Sequence, residues 1–171
     1  VGEIATARSE AFSLDPYDAL LDEFEAGTRI SLLEPLFGTL ARDLPGFVEE
    51  VIAHQASGPA PVLPDGPFPV ATQRALATQL MDALGFDFGA GRLDISHHPF
   101  CGGAAGDVRI TTRYSEDDFT ESLMGVLHET GHALYEAGLP ELWRYQPVGK
   151  ALGMAIHESQ SLLIEMQVSR S

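Results

Sequence analysis

Residues 128 to 132 read His-Glu-Thr-Gly-His. On an α-helix the two histidines stand about one turn apart on one face, so both imidazoles can reach a single ion. Glu129 points about 100 degrees away round the helix axis, beside such an ion rather than onto it. A carboxylate in that place can take a proton from a water held next to the metal. A helix that only packs a core gains nothing from this order of residues. The pattern also arises by chance, however, so a third ligand carries much of the weight.

One subclass of zinc peptidases takes that ligand from a histidine in His-Glu-x-x-His-x-x-Gly-x-x-His. Here Tyr135 stands at the glycine position and Gly138 at the histidine position, which excludes the subclass. The remaining route is a carboxylate on a returning helix, and Ala-Ile-His-Glu-Ser at 155–159 offers Glu158. His157 is an adjacent rival. Neighbours on a helix face different ways, so only one of the two binds. Glu158 is assigned as ligand and His157 as a residue supporting the ligands from behind.

The elements that must position these residues are mostly helical. Asp15-Pro16 starts a helix and Gly27 ends it, with Tyr17, Leu20, Leu21 and Phe24 on one buried face. Ser31 with Glu34 forms a capping box for a second helix, which Pro45-Gly46 breaks or kinks. Residues 58–69 form a proline-rich loop. A helix over about 70–84 follows, stopped by Gly85. Gly-Arg-Leu-Asp-Ile-Ser (91–96) and Asp-Val-Arg-Ile-Thr-Thr-Arg-Tyr (107–114) read as two strands, with a glycine-rich loop between them. Ser115 then caps the helix that carries 128–132 and ends at Gly138, and a last helix begins near Leu152. The expected fold is mainly α, with one small antiparallel β element.

The chain has 171 residues, enough for one domain with a real core. Ten basic against 25 acidic side chains give a net charge of −15, which repels phosphate backbones and anionic lipid. Nucleic acid and membranes are therefore not expected partners, and no apolar run reaches the roughly 20 residues of a membrane helix. Cys101 is the sole cysteine, which rules out a disulfide framework or thiolate cluster and suits a reducing cytoplasm. The chain opens without Met, as though inside a helix, and is expected to be the N-terminal or central segment of something longer.

Four motifs occur together and in order: His98-Pro99-Phe100, the D-x-R-x-T of Asp107, Arg109 and Thr111, His128 to His132, and His157-Glu158-Ser159. With the Asp-Pro-Tyr-Asp-Ala-Leu-Leu stretch near the start, they resemble the Taq carboxypeptidase family of metallocarboxypeptidases over nearly the whole chain. The resemblance implies a cytoplasmic, homodimeric, largely helical enzyme with a deep groove. It implies removal of C-terminal residues from peptides with broad specificity, using zinc or sometimes cobalt. It implies His128, His132 and Glu158 as metal ligands and Glu129 as catalytic base. The first two motifs line the groove in that family. There His98 can donate to a developing oxyanion, and Arg109 can pair with a carboxylate, either the substrate's or that of Asp107. Cys101 reads as small packing.

Two further motifs of the family, [IV]-R-x-x-A-D and G-x-x-Q-D-x-x-W, do not occur in the sequence. The first is credited with the arginine that captures the substrate's terminal carboxylate. Two other readings therefore stand beside the carboxypeptidase. One is an oligoendopeptidase of the thimet oligopeptidase type, which shares the histidine motif but lacks the first two motifs. The other is a catalytically incomplete fragment.

Overall fold

The computed structural model describes residues 1–60, 62 and 64–170. Packing divides the chain into two compact units, Val1–Pro64 and Asp65–Ser171.

The first unit holds three helices, α1 (Gly2–Phe12), α2 (Pro16–Phe24) and α3 (Ile30–Ala56). Pro16 takes the first helical position of α2, as expected, but the Asp15 side chain makes no cap bond. The face of α2 that is buried belongs to Asp18 and Ala19, whereas Tyr17 and Phe24 are exposed. Asp18 is drawn inward because its carboxylate accepts the Ile30 N–H at 2.7 Å. That bond also supplants the expected capping box. With an orphan amide of α3 satisfied from α2, the helix begins at Ile30 and Ser31 lies inside it. Nor does Pro45-Gly46 end α3, which runs 27 residues with Pro35 and Pro45 inside it. No residue of α3 is buried, so a carbonyl deprived of its amide partner by proline can be hydrated.

In the second unit α4 (Val70–Ala83) ends as expected, with Gly85 at φ +93 just past the last turn. Three strands follow, β1 (Gly91–Ile95), β2 (Phe100–Ala104) and β3 (Asp107–Thr112), in the order β1-β3-β2. β1 runs parallel to β3, pairing Gly91 with Val108 through Ile95 with Thr112. β2 runs antiparallel to it, from Phe100 opposite Thr111 to Ala104 opposite Asp107. The sheet is therefore mixed rather than purely antiparallel, and half of the expected loop is a strand. Cys101, Gly102 and Gly103 have little strand preference of their own, and pairing along β3 imposes the conformation.

α5 (Thr120–Ala137) starts five residues after Ser115, because Asp118 and not Ser115 serves its first amide: the Asp118 carboxylate accepts the Thr120 N–H at 2.8 Å. α6 (Met154–Ile164) packs along α5 and runs into a π-helical turn at Glu165–Ser169. Ala77, Met81, Phe86, Leu93, Val108, Ile110, Val126 and Ala133 form the core of this unit, joining α4, the sheet and the inner face of α5. At about 25 cal/mol per Å² of apolar surface, this burial is what holds α5 against β3. Among the described residues, no helix is long and apolar enough to cross a membrane.

Candidate active site

α5 presents His128 and His132 on the face turned to α6, and α6 returns Glu158 to them. This approach depends on Gly131. A Cβ there would lie 2.5 Å from the Gln160 carbonyl oxygen and 2.5 Å from the Ser161 Cα, so the two helices touch backbone to backbone. Ligand atoms of His128, His132 and Glu158 all fall within 4.8 Å of one another. The Nε2 atoms of His128 and His132 lie 3.5 Å and 3.4 Å from the two oxygens of Glu158.

These separations are long for hydrogen bonds but match donors sharing an ion. A tetrahedron with legs of roughly 2.0–2.1 Å has edges of about 3.4 Å. Two imidazoles and one carboxylate form a donor set suited to a divalent cation.

The far side of each imidazole is also engaged. His128 Nδ1 lies 2.9 Å from Glu165 Oε2, and Arg170 is ion-paired with the other oxygen of Glu165. His132 Nδ1 lies 2.7 Å from His157 Nδ1, whose Nε2 is 2.8 Å from Glu136 Oε1. His157 thus stands behind His132, pointing away from the ligand cluster. Glu136 and Glu165 were not anticipated. The available signal was spacing: Glu136 is one turn beyond His132, and Glu165 two turns beyond Glu158.

β2 closes another side. The backbone N–H of Cys101 donates to the Glu129 carboxylate. Burial pushes the Glu129 carboxyl above its ordinary value. The charge of Glu158 adds to this, while His128, His98 and the Cys101 amide oppose it. Burial likewise holds His132 below the usual imidazole value, and the neighbouring His157 and His128 act in the same direction. The hydrogen bond to His128 keeps Glu165 low, as does Arg170. The Cys101 thiol is pushed up to about 12, first by burial and then by Glu129 and Glu136. An inert thiol fits the expected packing role.

His98 and Arg109 are both exposed. His98 Nδ1 donates to the Pro99 carbonyl at 2.6 Å, and the His98 carbonyl accepts the Thr111 hydroxyl at 2.9 Å. The Arg109 guanidinium bonds to Asp107 through Nε and Nη2, the shortest contact being 2.6 Å. Of the two carboxylates open to Arg109, the internal one is taken.

The family model described as Carboxypeptidase Taq (M32) metallopeptidase matches residues 1–171. The chain belongs to this family. It is 46% identical over 156 residues to thermostable carboxypeptidase 1 of Thermus thermophilus, covering 91% of this chain and 30% of that protein. To carboxypeptidase 1 of Bacillus subtilis it is 40% identical, covering 91% and 31%. The solved structure of Trypanosoma cruzi metallocarboxypeptidase 1 matches with a TM-score of 0.94 at 46% identity, over 99% of this chain and 35% of that one. The chain thus spans about 30% of the length of its curated relatives. Membership in an M32 metallopeptidase family implies a divalent metal, and the donor set of His128, His132 and Glu158 is compatible with one.

Proposed function

We propose that the protein is a zinc-dependent carboxypeptidase that releases C-terminal amino acids from peptides with broad specificity, with His128, His132 and Glu158 as metal ligands and Glu129 as catalytic base. The observation that supports it most is the convergence of two imidazole Nε2 atoms on one carboxylate, at 3.4 and 3.5 Å. A divalent ion held by these three residues would supply Lewis-acid chemistry, lowering the pKa of a bound water and polarising the scissile carbonyl. Zinc suits the ligand set best, and cobalt is accommodated by the same donors.

The remaining work falls to the chain's own side chains. Glu129 accepts the proton of the attacking water and returns it to the leaving amine. Its partial burial favours the proton-bound form once the proton is taken, and the Cys101 N–H fixes its orientation. His98, its Nδ1 engaged by the Pro99 carbonyl, offers its Nε2 edge toward a developing oxyanion. Arg109 meets a substrate carboxylate with the N–H groups that Asp107 leaves unused. The same reading puts the enzyme in the cytoplasm as a homodimer acting on peptides, and a single cysteine suits that reducing compartment.

The test is metal content by mass spectrometry on the purified protein and on Glu158→Ala, followed by analysis of peptide products. Near-stoichiometric zinc that is lost in the variant, with single C-terminal residues released, is the expected outcome. Internal cleavage would point to the oligoendopeptidase instead. Zinc that never binds, even when added, would overturn the site.

A further inference from the structure

We infer that Glu136 is a positioning residue for metal ligation: acting through His157, it selects the tautomer of His132 that leaves the Nε2 lone pair facing Glu158. The inference rests on the reading of His132 as a ligand. It follows from the order of donors and acceptors along one line of contacts. A carboxylate can only accept, so across the 2.8 Å contact with Glu136 the His157 ring must carry its proton on Nε2. A neutral ring protonated there has a bare Nδ1, which must accept. Across the 2.7 Å contact between the two Nδ1 atoms, His132 is then the donor. Its own Nε2 is left bare, 3.4 Å from the Glu158 carboxylate, as a metal ligand requires.

The two ligand histidines are held by different devices. His128 meets Glu165 directly, and a carboxylate at 2.9 Å fixes its tautomer in one step. His132 meets another imidazole, which can present either a donor or an acceptor, so the choice passes to whatever binds the far side of His157. Solvent does not make that choice, because the side chains of His132 and His157 are only 11% and 16% exposed. Glu136 does, from the solvent edge at 38% exposure. The Tyr135 ring packs edge-on against His157 at 5.1 Å and holds its plane. Partners of this kind raise metal affinity by about 10- to 100-fold.

The experiment compares the intact protein with Glu136→Ala and Glu136→Gln. Long-range proton–nitrogen NMR of the metal-free proteins reads which ring nitrogen carries hydrogen, and competitive zinc titration reads affinity. The wild type is expected to show His132 protonated on Nδ1 and His157 on Nε2. In Glu136→Ala both rings become tautomer mixtures and zinc binds about 10- to 100-fold more weakly, with the helical circular dichroism unchanged. Glutamine keeps an acceptor oxygen and the side-chain volume, so Glu136→Gln should recover part of both readouts, and it carries the test if the alanine variant does not fold. A wild-type His132 protonated on Nε2 would overturn the inference. So would tautomers unchanged in the variants, including the case where zinc affinity falls, since that loss would be one of packing alone. Failure of the metal site is distinguishable: the wild type would then bind no zinc whatever its tautomers.

Discussion

Gly131 lies against Ser161 with no room for a side chain: a Cβ added to the glycine would meet the Ser161 Cα at 2.5 Å. Since Ser161 is one turn beyond Glu158 on α6, this contact sets how closely the Glu158 carboxylate approaches the two histidines. Gly131→Ala has an intrinsic helical advantage of about 1 kcal/mol. The clash is with backbone on both sides, so α6 must move away. We expect a net destabilisation of about 1–3 kcal/mol and weaker zinc binding, measured by urea titration and chelator competition. A variant as stable as wild type with full metal content would show that the helices can separate without opening the site.

Glu129 stands beside the ligand cluster and not within it, which separates its two possible contributions. Glu129→Gln should bind metal like the wild type while turnover falls by about 10²- to 10⁴-fold. Metal analysis and peptide hydrolysis on the same preparation decide the matter. Parallel loss of metal and activity would make Glu129 a ligand or a packing residue.

Cys101 tests the electrostatics on the other side of Glu129. With the thiol pushed up to about 12, its thiolate fraction at mildly alkaline pH is roughly three decades below that of a free cysteine. The greater nucleophilicity of a more basic thiolate returns about half of that. Alkylation in the folded protein should therefore be slower than in the urea-unfolded protein by one to two decades or so, as followed by mass spectrometry. Equal rates would mean that packing against the core does not shield this thiol.

The start of α5 contributes a pH dependence. The Thr120 hydroxyl and then the Thr120 amide, both bonded to Asp118, hold its carboxyl below the ordinary 3.8. A folded-state pKa that is depressed gives stability above the unfolded value, and this is lost as the pH falls through the lower folded value. Asp118→Ala should therefore unfold at lower urea concentration than wild type near neutrality. The gap should close as the pH drops below about 3.8. A gap independent of pH would indicate a packing effect.

Much of this site could be read before any fold was known, because its central relationship is local. His128, Glu129 and His132 acquire their geometry from a single helix, whose period places them whatever it packs against. The stops at Gly85 and Gly138 follow equally from short-range rules. A returning helix was the route left open for a third donor, and α6 brings Glu158 beside the two histidines.

Tertiary structure decided the rest. That Asp18 and not Ser31 serves the start of α3, that a glycine-rich stretch becomes β2, and that Arg109 is already paired with Asp107 are all matters of which groups arrive beside one another. The clearest case is the pair of carboxylates behind the histidines. Glu136 and Glu165 look like ordinary charged positions on helices, and spacing marks them only as sharing faces with known residues. Whether such a residue is solvated or bonded to an imidazole depends on the crossing of α5 and α6. That crossing is set by a backbone contact at Gly131, and the sequence alone records it only as a missing side chain.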